Sequence, residues 1–135
     1  MYGAFFLTEP CAGGLNAALE RAAASLETRG AEGLLVVPGD LPRLSRESIE
    51  SALSLLSVPG MVIAPDRRER GTNLLLLAPP NLLPFHFGRA SFERFLKAAV
   101  RRDLEPVVFR STDVAGDVDV PADLVLVQGL DGWPE

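Results

Sequence analysis

The chain has 135 residues, 47% of them hydrophobic and 23% charged, with 13 Lys and Arg against 18 Asp and Glu for a formal charge of −5. These are proportions of one compact domain with a core of its own, not of a disordered chain. The acidic balance, with a pI near 4.9, excludes the basic footprint of a protein that coats nucleic acid, and no apolar run approaches the ~20 residues of a membrane span.

One Cys (Cys11) and one His (His86) exclude an intrachain disulfide, a Cys/His zinc cluster and a two-histidine metal motif. The opening MYGAFFLTEP is short and lacks the basic flank of a signal peptide, so a cytoplasmic protein is expected. Lys97 is the single lysine, and with no Gly-rich loop before it there is no Walker-type phosphate loop. Any grip on phosphate falls to backbone amides, arginine or a carboxylate-held metal.

In chain order, Ala4 to Leu7 reads as a buried strand that ends at Thr8-Glu9-Pro10. Gly13-Gly14 then opens a helix with Leu15, Ala18, Leu19, Ala22, Ala23 and Leu26 at helical spacing, and Gly30 stops it. Leu34 to Val37 is an aliphatic run suited to a strand covered on both faces, broken by Pro38-Gly39-Asp40-Leu41-Pro42. Ser45 caps a predicted helix carrying Ile49, Ala52, Leu53 and Leu56 that stops by Pro59-Gly60. Met61 to Ala64 is a third strand, the charged stretch Pro65 to Gly71 a turn, and Thr72 to Ala78 a fourth strand ended by Pro79-Pro80. Ser91 is read as the cap of a helix with Phe92, Phe95, Leu96 and Ala99 on one face. Pro106 to Arg110 is a fifth strand, Ser111 to Asp119 a loop, and Pro121-Ala122-Asp123 the first turn of a closing segment. Strands alternating with helices predict an α/β layered domain with a mostly parallel sheet.

In such a sheet, ligands gather beyond the carboxyl ends of the strands. Asp40 lies directly after one aliphatic run, and Asp117 and Asp119 end the loop after another. Carboxylates far apart in sequence can converge on one Mg²⁺ and leave places for phosphate oxygens. Turn chemistry accounts equally for Pro-Gly-Asp, and helix capping for Asp119. Gly13-Gly14 is either an amide cradle for phosphate or a plain turn, and Gly88-x-x-Ser91 either the same cradle or a cap. Arg67, Arg68 and Arg70 read as a solvated turn with the option of reaching an anionic substrate. His86 and Cys11 read as structural.

Five ordered segments together resemble a known family: GLNAAL (Gly14 to Leu19), VVPGDLP (Val36 to Pro42), APDRRERGTNLLLL (Ala64 to Leu77), FGRASFERF (Phe87 to Phe95) and DVDVPADL (Asp117 to Leu124). The family is that of the 2-phospho-L-lactate and phosphoenolpyruvate guanylyltransferases of deazaflavin coenzyme (F-420) biosynthesis. The resemblance implies a Rossmann-like layered sheet of the nucleotide-diphospho-sugar transferase type, with residues 1–135 as one nucleotidyltransferase-like domain. It implies transfer of GMP from GTP to phosphoenolpyruvate or 2-phospho-L-lactate with Mg²⁺ as cofactor and pyrophosphate released, chemistry that asks for positioning and charge neutralisation more than for side-chain acids and bases. Carried over by motif, Asp40, Asp117 and Asp119 hold metal, Thr72, Asn73, Gly88 and Ser91 line the acceptor pocket, and Gly14 and Asn16 lie near the nucleotide.

The family pattern begins with a further strand and helix whose glycine loop and lysine hold the triphosphate, and that front third is not matched here. The expectation is therefore an N-terminally truncated member, with an uncovered sheet edge prone to self-association and no turnover of GTP by the chain alone. Two alternatives stay open: a non-catalytic remnant that binds acceptor, and another nucleotidyltransferase, such as one acting on molybdenum cofactor or sugar phosphates.

Overall fold

A computed structural model describes residues 14–116. The expected strand at Ala4 to Leu7, together with Cys11, Gly13, Asp117, Asp119 and the Pro121 segment, lies outside the described residues.

Helix α1 spans Gly14–Thr28. Gly30 ends it in the left-handed conformation (φ 79°), with its own N–H on the Glu27 carbonyl (3.0 Å) and the Ala31 N–H on that of Leu26 (3.0 Å), a closure that draws the last-turn carbonyls into hydrogen bonds. Strand β1 is Leu34–Val36 and helix α2 is Arg46–Ser54. Ser45 caps α2 as its sequence predicts, its hydroxyl accepting from the Ser48 N–H at 3.1 Å, and Glu47 adds a favourable charge in the first turn. Strands β2 (Gly60–Pro65) and β3 (Thr72–Ala78) are buried along their whole length. Helix α3 covers Ser91–Arg101, strand β4 Val107–Val108, and a single helical turn, α4, Thr112–Ala115.

The strand order is β1-β3-β2-β4. The central pair β2 and β3 is antiparallel, β1 is antiparallel to β3, and β2 is parallel to β4. The expectation of a mostly parallel sheet is thus corrected among the described strands. A parallel partner needs a crossover of a dozen or more residues, and the short polar stretch between Pro65 and Thr72 permits only a hairpin. Its geometry is set by Asp66, whose carboxylate accepts the N–H groups of Arg68 (3.1 Å), Arg70 (3.0 Å) and Gly71 (3.0 Å), an extended form of the Asx turn.

Side chains alternate across the sheet and divide the core in two. Met61 and Ile63 of β2 and Leu75 and Leu77 of β3 join Ala23 of α1 and Phe92, Phe95 and Ala99 of α3. Val62 and Ala64, with Leu74 and Leu76, face Ala52 of α2 and Val114 of α4. Helices α1 and α3 therefore cover one face, and α2 and α4 the other. This two-sided cover is why β2 and β3 read as unbroken aliphatic runs.

Two further expectations are corrected. Strand β4 is shorter than Pro106 to Arg110, because Pro106 has no N–H to give the ladder; the Phe109 N–H still reaches the Ile63 carbonyl at 2.8 Å. Ser91 does not cap α3. It is the first helical residue, and the cap position is Ala90, left-handed at φ 55° and without a side-chain hydrogen bond.

Candidate functional site

Strands β1, β2 and β4 run in one direction and β3 in the other. The carboxyl ends of three strands and the amino end of β3 consequently share one edge of the sheet. At that edge lie the Pro38–Pro42 turn with Asp40 after β1, the Asp66 hairpin after β2, Thr72 and Asn73 at the start of β3, and Arg110–Thr112 after β4. This is the position where layered α/β sheets place their ligands.

Asp40 is exposed, and among the described residues no hydrogen bond or ion pair engages its carboxylate. It has the hard oxygen donors that Mg²⁺ prefers. Asp117 and Asp119, the other two residues of the expected metal set, lie outside the described residues, and among the described residues no group of three or more potential ligands comes together. Asp117 directly follows Gly116 in sequence. The preceding turn α4 is tied to the site edge by Asn73, whose buried amide donates to the Val114 carbonyl at 2.9 Å.

The segment Gly88 to Ser91 reaches the same edge through two contacts. The buried hydroxyls of Thr72 and Ser91 meet at 2.9 Å, and the Phe92 N–H donates to the Arg70 carbonyl at 3.0 Å. The start of α3 is therefore pinned to the hairpin on one side and to β3 on the other. Gly88 sits at φ 117°, a conformation that favours glycine, and among the described residues nothing lies within 4 Å of the position a Cβ would take. Of Thr72, Asn73, Gly88 and Ser91, Thr72 and Ser91 meet directly, the Gly88 carbonyl accepts the Ser91 N–H at 3.2 Å, and Asn73 is engaged with Val114 of α4.

Gly14 and Asn16 are at the start of α1. Gly14 is exposed, at φ 68°, and among the described residues nothing lies within 4 Å of the position a Cβ would take. The Asn16 side chain is engaged twice with one backbone unit: its Nδ2 donates to the Phe87 carbonyl (3.0 Å), and its Oδ1 accepts the Phe87 N–H (2.8 Å). Glu20, one turn on, accepts the Phe85 N–H at 3.0 Å. In this arrangement α1 holds the 85–88 loop that leads to Ser91. His86, in the same loop, packs edge-on against Phe95 at 5.5 Å, as does Phe87 at 5.1 Å. Burial, followed by the nearby Arg94, lowers the His86 pKa from its ordinary value, against the opposing pull of Glu20.

The loop after β4 also brings to this edge Arg110, Ser111 and Thr112, residues to which the sequence pattern assigns no role. Arg110 reaches across to Glu69 in the hairpin (Nε to Oε1 2.9 Å, Nη2 to Oε1 2.6 Å). Beside this bridge lies a cleft of about 380 Å³ that includes Asp66, Arg67, Ser111 and Thr112. A second cleft, about 490 Å³, runs from Ser111 and Thr112 to Ser45 and Ser48 of the α2 cap. The usable signal was position: these residues immediately follow an aliphatic strand.

The layered sheet, with helices on both faces, has a nucleotidyltransferase-type fold. A crystal structure from Desulfovibrio desulfuricans G20, of a protein assigned as a nucleotide-diphospho-sugar transferase, superposes with a TM-score of 0.71 over 90% of this chain and 54% of that one, at 19% identity. Residues 3–131 match the family described as "Guanylyl transferase CofC like", and the chain belongs to that family. It is 43% identical over 119 residues to the phosphoenolpyruvate guanylyltransferase of Thermobaculum terrenum, covering 87% of this chain and 51% of that protein. It is 42% identical to the enzyme of the same name from Rubrobacter xylanophilus (88% and 58% covered). With the 2-phospho-L-lactate guanylyltransferase of Methanocaldococcus vulcanius the identity is 35% (82% and 49% covered). The chain thus spans about half the length of the curated relatives it matches. Among the described residues no helix is long and apolar enough to cross a membrane.

Proposed function

We propose that the chain is the acceptor side of a guanylyltransferase that transfers GMP from GTP to phosphoenolpyruvate or 2-phospho-L-lactate in F-420 biosynthesis, as one nucleotidyltransferase-like domain acting in the cytoplasm. In this reaction a phosphate oxygen of the acceptor attacks the α-phosphorus of GTP. The new P–O bond forms as the bond to the β-phosphate bridging oxygen breaks, and pyrophosphate leaves. The observation that carries the reading is the convergence of Asp40, Thr72, Asn73, Gly88 and Ser91 on one end of a sheet belonging to this family.

Thr72 and Ser91 lock the start of α3 against β3, and Gly88 leaves backbone open to an incoming anion. Together they form the acceptor pocket. Asp40 is the metal ligand contributed by the β1 loop, with Asp117 and Asp119 as its partners. When bound there, Mg²⁺ supplies neutralisation of phosphate charge. Gly14 and Asn16 border the nucleotide side, where Asn16 acts through the Phe87 backbone it holds.

Calorimetric titration of the chain with phosphoenolpyruvate and with 2-phospho-L-lactate, with and without Mg²⁺, tests the proposal. Metal-dependent binding that Asp40→Asn weakens by about 1–2 kcal/mol is the expected result. Binding of either acceptor that is metal-independent and unchanged in Asp40→Asn refutes the metal site, and binding of neither refutes the acceptor reading.

A further inference from the structure

Between the hairpin and the start of α3 lies a cleft of about 350 Å³ lined by Glu69, Arg70, Arg89, Ala90 and Glu93. By residue type its two acids and two bases cancel, but by pairing they do not. Glu69 is committed to Arg110. Glu93 is committed to Lys97 at 2.7 Å, a contact that also holds its carboxyl below the ordinary range. Among the described residues neither the Arg70 nor the Arg89 guanidinium has a carboxylate partner, so the cleft carries two uncompensated positive charges within an acidic chain.

The backbone behind both arginines is fixed. The Arg70 N–H is held by Asp66 and its carbonyl by the Phe92 N–H, each at 3.0 Å. Arg89 lies between Gly88 and the left-handed Ala90, and its carbonyl accepts from Arg94 Nη1 at 3.2 Å. Guanidinium groups present paired N–H donors that match carboxylate and phosphate oxygens. Two of them, on anchored backbone and facing one cleft, suit a small molecule with two anionic groups.

We propose that Arg70 and Arg89 form an anion-binding site for a phosphorylated small carboxylic acid, one guanidinium for each anionic group, and that this pair recruits acceptor to the Thr72–Ser91 pocket. The choice of ligand rests on the guanylyltransferase reading, whereas the site itself does not.

The test titrates the full chain by calorimetry with phosphoenolpyruvate and separately with inorganic phosphate, comparing wild type with Arg70→Gln, Arg89→Gln and, as a charge-matched control, Arg46→Gln, whose side chain lies exposed beside Glu50 on α2. Each cleft variant is expected to bind phosphoenolpyruvate about tenfold more weakly, the scale of a lost hydrogen bond to a charged group, with Arg46→Gln unchanged. Arg70 and Arg89 are both exposed, so each variant is expected to keep the wild-type thermal unfolding transition. Wild-type affinity for phosphoenolpyruvate in both overturns the proposal and leaves the guanylyltransferase reading standing. Phosphate binding that both variants weaken, without phosphoenolpyruvate binding in wild type, upholds the site and removes the phospho-acid as its ligand. Binding of neither probe overturns the site.

Discussion

Removing the Ser91 hydroxyl leaves the Thr72 hydroxyl buried without its partner. Ser91 is 1% exposed and Thr72 8% exposed, and their oxygens are 2.9 Å apart. An orphaned buried hydroxyl costs about 1–3 kcal/mol, and for a chain of this size each kcal/mol lowers Tm by about 3–5 °C. Ser91→Ala and Thr72→Val should each show that loss. The double variant removes donor and acceptor together, leaving nothing unpaired, and should be scarcely less stable than either single one. The cycle built from the three thermal or urea unfolding curves should therefore give a coupling energy of about 1 kcal/mol or more. If Ser91 acted as a helix cap, Thr72→Val would be nearly neutral and the two effects would add. Additivity within about 0.3–0.5 kcal/mol refutes the reasoning. Acceptor titrations on the same variants give a second readout, because a start of α3 no longer locked to β3 should bind phosphoenolpyruvate more weakly even where the protein remains folded.

Asn16→Ala should lose both hydrogen bonds to Phe87 and destabilise the fold by about 1–3 kcal/mol, with a parallel fall in acceptor affinity because the 85–88 loop is released; an unchanged unfolding curve would show that the pairing contributes nothing. His86 has a lowered folded pKa, so the unfolded chain binds more protons below neutrality. Stability should fall as pH drops below about 6.5, the unfolded histidine value, and level off once pH passes below the native pKa. His86→Gln should remove that part of the pH dependence of Tm, and an identical profile in the variant would rule histidine out as its source.

Much of the secondary structure was legible in the chain because burial leaves a periodic trace. Leu34–Val36, Gly60–Pro65 and Thr72–Ala78 stand out as aliphatic runs since each is covered on both faces, and Ser45 announces α2 since a cap bonds an amide only three residues away. The family was legible through five ordered motifs, as was the crowding of candidate residues at strand ends. Strand direction was not, although the hairpin was written in the brevity of the Asp66–Gly71 link; alternation of strands with helices elsewhere in the chain pointed to parallel neighbours and outweighed it. Nor did the local pattern distinguish Ser91 as a cap from Ser91 as a partner of Thr72, because a serine ahead of an amphipathic run looks the same in either role. The two hydrogen bonds between Asn16 and Phe87 and the Glu69–Arg110 bridge join segments tens of residues apart, and the α3 cleft gathers Arg70 and Arg89 from separate loops. Periodicity reports how deeply a residue is buried. Which distant group a polar side chain meets is decided only when the sheet stacks its helices, since that choice rests on a few directional contacts with no local repeat to record them.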